Sequence, residues 1–125
     1  MKRTHHTEKN LISGSYTFAS ERELTDRLVD TYCEYVEMNA EDTFHLYLQF
    51  QFLDTRSKTM VYRFSRLLLR LSEKRSRAKL KVTFLYDWQD TSMEELGIFL
   101  EEIGCSKVKL YQIDRIEQNY ISDVA

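Results

Sequence analysis

Residues 43–52, Thr-Phe-His-Leu-Tyr-Leu-Gln-Phe-Gln-Phe, place an aromatic or aliphatic side chain at every second position. A period of two is that of a pleated strand, so this run reads as a β-strand. Phe44, Leu46, Leu48, Phe50 and Phe52 form its core face, with His45, Tyr47, Gln49 and Gln51 opposite. Both flanks switch to a period near 3.6. On the N-terminal side, Ser20 with Glu23 forms a capping box, and Leu24, Leu28, Tyr32, Tyr35 and Val36 recur at helical spacing towards Met38-Asn39. On the C-terminal side, a polar Asp54-Thr55-Arg56-Ser57 turn leads into Met60, Val61, Phe64, Leu67, Leu68 and Leu71, an apolar stripe facing away from Arg63, Arg66, Arg70 and Lys74.

The alternation of periods extends over most of the chain. Residues 10–18 read as a first strand through Ile12, Tyr16 and Phe18, with Gly14 as its weak point. Residues 79–86 alternate through Leu80, Val82, Phe84 and Tyr86, and Asp87-Trp88-Gln89-Asp90 follows as a loop. Thr91 with Glu94 makes a second capping box, Leu96, Phe99, Leu100 and Ile103 supply a stripe, and Gly104 stands where a C-cap glycine belongs. Residues 107–113 read as a last strand. The order β-α-β-α-β-α-β is that of an α/β layer structure with helices packed on a mostly parallel sheet.

At 125 residues, with 42% hydrophobic content, no proline and three glycines, the chain reads as one domain of long elements and short connections. Residues 1–9 and 114–125 are expected as loose ends, the latter with Ile116, Tyr120 and Ile121 for a short docking helix. Cys33 and Cys105 lie on apolar-patterned segments without CxxC spacing, which predicts buried thiols in a reducing compartment. No apolar run approaches transmembrane length and Met1-Lys2-Arg3 is followed by polar residues, so the expected location is cytoplasmic.

Enzymatic signatures are missing from the sequence. His5, His6 and His45 have no metal-ligand spacing, and there is no GxGxxG, P-loop or GxSxG motif. The expectation is a protein without catalytic activity, cofactor or metal. The paired acids Glu94-Glu95 and Glu101-Glu102 read as the polar face of a helix. Charge is unevenly spread: residues 56–81 carry ten Lys or Arg against Glu73 alone, a local balance of +9 in a chain of net charge −2. Without interleaved aromatics this is no base-stacking surface, and Arg63, Arg66 and Arg70 suit an acidic protein partner better than nucleic acid.

Thr55 is the candidate site residue. A hydroxyl beside the start of a helix lies where free N–H groups and the macrodipole favour a phosphate, although a threonine there also serves as a plain N-cap. Its neighbours Asp54, Arg56, Ser57 and Lys58 set the local charge.

Taken together, the strand ending at Leu53, the Asp-Thr-Arg-Ser turn, the helix with Met60, and the strand ending Phe84-Leu85-Tyr86-Asp87 resemble the SiaC-type family of bacterial regulatory phosphoproteins. The resemblance spans residues 12–113. It implies a STAS-like domain in which Thr55 is the phosphoacceptor of a partner-switching module and Ser57 matches the second serine of the family's Asn-Thr-Ser-Ser turn. It also implies a Ser/Thr kinase, a metal-dependent Ser/Thr phosphatase, and a target bound by the unmodified protein, typically a diguanylate cyclase, hence cyclic-di-GMP signalling and biofilm regulation. The chain departs from the pattern at Asp54 (for Asn) and Arg56 (for Ser), and Thr17-Phe18-Ala19-Ser20 replaces the family's Pro-Glu-Asn segment. The alternative is a constitutive STAS-like scaffold, or a protein like an anti-sigma-factor antagonist, with Thr55 as a cap only.

Overall fold

The computed structural model describes residues 6–113. Four strands, β1 (Thr7–Tyr16), β2 (Thr43–Leu53), β3 (Lys79–Asp87) and β4 (Val108–Ile113), alternate with three helices, α1 (Glu21–Glu37), α2 (Thr55–Leu71) and α3 (Thr91–Gly104). The sheet order is β1-β2-β3-β4 and every neighbouring pair is parallel. Right-handed crossovers that always step in the same direction put all three helices on one face of such a sheet, in the order α1-α2-α3. The expected α/β architecture is therefore the one observed. Strand β1 begins at Thr7, so residues 7–9 belong to the sheet and not to a loose end; the expectations for residues 1–5 and 114–125 lie outside the described residues.

The core lies between sheet and helices. Ile12, Phe44, Leu46, Leu48, Phe50, Val82 and Phe84 meet Leu24, Leu28 and Tyr35 from α1, Val61, Phe64 and Leu68 from α2, and Met93, Leu96 and Leu100 from α3. On the opposite sheet face Tyr47 and Leu85 are buried with Leu11 and Ile113 against them, so β2 is buried on both faces where its sequence reads as two-sided.

Strict alternation breaks near the end of β2. Gly14 pairs with Phe50 but Ser15 pairs with Phe52, leaving Gln51 as an extra residue in that strand. Gly14 adopts φ +115° there, a conformation open to glycine and costly for other residues. The bulge shifts the parity by one, so Leu53 enters the core while Phe52, expected inside, is 52% exposed. Leu67, expected in the α2 stripe, is also exposed, because Leu68 and Leu69 carry the buried arc at that turn.

Several local expectations are corrected too. Both cysteines are exposed and free. Ser20 makes no side-chain cap to α1; its hydroxyl instead accepts from the Thr17 N–H at 2.9 Å in a preceding short turn. At the end of α3 it is Cys105, with φ 50°, and not Gly104 that takes the positive dihedral. Gly104 is required for another reason: a Cβ there would lie 2.1 Å from Val108 Cγ2 and 3.2 Å from Leu69 Cδ1.

Candidate phosphoacceptor site at the start of the second helix

In an all-parallel sheet every strand delivers the following helix at the same edge, so the N-termini of α1, α2 and α3 gather at the carboxyl ends of the strands. The positive ends of three helix dipoles therefore share that edge. Thr55 stands at the middle one of the three.

Thr55 is not the N-cap of α2. Asp54, in extended conformation, holds that position, and its Oδ1 accepts the Ser57 N–H at 2.8 Å while its carbonyl accepts the Lys58 N–H at 2.9 Å. The same substitution of roles occurs at α3, where Asp90 and not Thr91 caps by accepting the Met93 N–H at 3.0 Å. In both turns aspartate outcompetes the adjacent threonine, since a carboxylate accepts the amide and also meets the positive helix end with a full charge. Thr55 thus occupies the first helical position, exposed, with no hydrogen bond to its hydroxyl among the described residues. Its carbonyl accepts from Thr59 Oγ1 at 3.0 Å.

The Asp54 carboxyl is held below its usual range, first by the Ser57 N–H, then by the Ser57 hydroxyl, with smaller help from the Phe18 N–H and the Arg56 charge against an opposing effect of desolvation. The Asp54 N–H in turn donates to the Tyr16 carbonyl at 3.1 Å. These bonds fix the α2 turn to the end of β1. Ser57 is 1% exposed, so its hydroxyl is spent inside the cap.

Arg56 and Lys58 point to opposite sides of Thr55. Arg56 Nε pairs with Glu21 Oε1 of α1 at 3.1 Å, and its guanidinium lies 5.8 Å from the centroid of the exposed Phe18 ring. Lys58 Nζ donates to Ser92 Oγ of α3 at 3.0 Å. Between α2 and α3 a groove of about 380 Å³ is lined by Thr55, Lys58, Tyr62, Glu95, Leu96 and Phe99, among others. The Tyr86 hydroxyl, raised in pKa by burial and by its bond to Glu94, ties the end of β3 to α3 near that groove. Glu21, Phe18, Ser92 and Glu94 reach the site from other elements, and no local spacing in the sequence announces such tertiary neighbours.

Arg63, Arg66 and Arg70 are all exposed along α2, outside this cluster except through the shared helix. They run from the middle of α2 towards its C-terminal end. Among the described residues no group of three or more His, Cys, Asp or Glu could hold a metal ion, and no helix is long and apolar enough to cross a membrane.

The chain matches a known family. The model described as SiaC family regulatory phosphoprotein aligns with residues 3–113, which takes in every described strand and helix. No curated protein and no solved structure matches the chain.

Proposed function

We propose, from the premise that the chain belongs to the SiaC family of regulatory phosphoproteins, that Thr55 is its phosphoacceptor and that the protein works by binding partners and not by catalysis. The observation that carries the reading is the division of labour in the α2 turn. Asp54 caps the helix and Ser57 is buried in that cap, which leaves Thr55 as an exposed hydroxyl without structural duty.

A phosphate on Thr55 would add about −1.5 to −2 charges at the mouth of the α2–α3 groove. Arg56 and Lys58 are within the same turn to meet it, and both would have to leave present partners, Glu21 and Ser92. Asp54 opposes the new charge. The modification therefore acts less on the fold than on the surface, exchanging a neutral groove mouth for an anionic one. A target that docks on the unmodified surface is released by it, and a Ser/Thr kinase with a metal-dependent phosphatase would set the balance. The family resemblance supplies the direction of this switch and the candidate target, a diguanylate cyclase, which would place the protein in cyclic-di-GMP signalling in the cytoplasm. Arg63, Arg66 and Arg70 form a separate face for an acidic protein surface.

Intact-mass measurement and phosphosite mapping of protein purified from its native cells test the reading. A single phosphate on Thr55, removed by a metal-dependent phosphatase, is expected. Phosphate on Thr59 or Ser57, with Thr55 unmodified, would overturn the site; no phosphate under any growth condition would favour a constitutive binding scaffold.

A further inference from the structure

The helical layer is striped by charge. Helix α1 carries six acidic and two basic residues, a balance of −4; α2 carries five basic and no acidic residue, +5; α3 carries four acidic residues and no basic one, −4. Glu21–Arg56, at one end, is the ion pair recorded between these helices among the described residues. Asp26 and Asp30 on the outer side of α1, and Arg63, Arg66 and Arg70 on that of α2, are exposed and make none there. Between the two rows runs an apolar groove of about 350 Å³ lined by Leu28, Val29, Tyr32, Arg63, Phe64 and Leu67. Val29 and Leu67 stand in it 53% and 46% exposed.

An apolar strip with an acidic row on one side and a basic row on the other is self-complementary. We propose that this α1–α2 face binds a second copy of the chain about a two-fold axis, α1 of each protomer lying on α2 of its partner. The stripes select the axis. A two-fold axis along the helices, centred on the groove, lays the −4 helix on the +5 helix twice; one across the helices would lay each helix on its own copy, like charge on like. An isologous contact of this kind repeats every pairing, so each acid–base contact occurs two times. Because α1 and α2 run side by side in the same direction and the Glu21–Arg56 pair fixes their register, the groove residues Leu28 and Tyr32 fall about level with Arg63 and Leu67. At those levels Asp26 meets the Arg63 row and Asp30 meets Arg66, while Val29 and Leu67 supply the dry centre that such an interface needs. The equivalent axis over α2–α3 would cover Thr55, whereas the α1–α2 axis leaves the groove beside Thr55 open.

The inference rests on the reading of Arg63, Arg66 and Arg70 as a face for an acidic surface, and identifies that surface; it does not depend on Thr55. Sedimentation velocity of the whole chain at about 100 μM and low salt should give a species of twice 15.0 kDa that dissociates at high salt. Asp30→Arg and Arg66→Asp should each give monomers with unchanged thermal midpoints. Mixing the two variants, or combining both changes in one chain, should restore the dimer, since both arrangements rebuild opposite charges across the axis. A wild-type monomer under these conditions, or variants that remain dimeric, or failure of the mixture to associate would overturn the proposal. Phosphate transfer to Thr55, followed by intact mass on the same samples, reports separately on the phosphoacceptor assignment.

Discussion

The Asp54 carboxylate and the Ser57 backbone N–H are joined at 2.8 Å, and this single bond decides which hydroxyl of the α2 turn is available. It makes Asp54 the cap and draws Ser57 inside. Thr55→Ala should therefore fold with a thermal midpoint near that of the wild type and accept no phosphate. Thr55→Asp should fold equally well, because an acidic residue in a first helical turn interacts favourably with the helix dipole, yet should lose target binding. Phosphotransfer with intact-mass detection checks the first variant and a pull-down of the target checks the second. Ser57→Ala should lower stability while leaving Thr55 phosphorylation in place.

Tyr35 is fully buried and its hydroxyl donates to the Ala78 carbonyl at 2.7 Å, stitching α1 to the connection before β3. Tyr35→Phe should cost about 1–3 kcal/mol in urea denaturation, since the carbonyl is left without its donor in a buried place. Burial pushes the phenol up to about 12 against the pull of Arg77. A raised folded-state value means that the contribution of this group is complete below pH 10 and is lost as pH rises towards 12.

His45 stacks on Tyr47 at 4.2 Å and its Nε2 shares a hydrogen bond of 2.8 Å with Thr83 Oγ1. Burial, then the charges of Lys81 and Lys9, hold its pKa below the ordinary 6.5. The unfolded chain binds this proton more readily, so stability should fall as pH drops through 6.5 towards the folded-state value. Denaturation midpoints measured at about pH 7.5 and about pH 5.5 should differ less in His45→Gln than in the wild type.

Helix α3 ends on a conflict between two neighbours. Gly104→Ala should destabilise by about 1–3 kcal/mol, because Val108 is β-branched and has little freedom to withdraw from a new Cβ. Cys105→Gly should stabilise by about 1 kcal/mol by relieving a positive dihedral on a residue with a side chain. Thermal unfolding of the two variants side by side checks the opposite signs.

Within the core, Leu48→Ala and Leu68→Ala should each cost about 2–5 kcal/mol through cavity formation. Phe52→Ala and Leu67→Ala, drawn from the same two sequence patterns but exposed in the fold, should each cost less than about 1 kcal/mol in the isolated monomer.

The element order and parallel sheet were legible because period two and period 3.6 alternate without proline or long loops to blur them. Identity of the caps was less so: Asp-Thr at 54–55 and again at 90–91 offers two competent caps in succession, and spacing cannot rank them. Phe52 and Leu67 were misplaced for different reasons, one by a bulge that adds a residue to the strand, the other by a helical arc rotated towards Leu68 and Leu69. Thr55 itself could be singled out by its place in the turn. Its surroundings could not, since Glu21, Phe18 and Ser92 come from 34, 37 and 37 positions away in the chain.

Gln51, the unpaired residue of β2, acts as a spatial frameshift three residues upstream of the cap. Reading onward from it, Leu53 falls into the core, Asp54 meets the Tyr16 carbonyl, and the following hydroxyl emerges at the surface. Were Gln51 instead paired in a regular ladder, strict alternation would carry Phe52 inward and Leu53 outward and turn the peptide before α2 by half a strand repeat. The accessibility of the Thr55 oxygen is thus set by strand parity, at a position whose own side chain takes no part in the site.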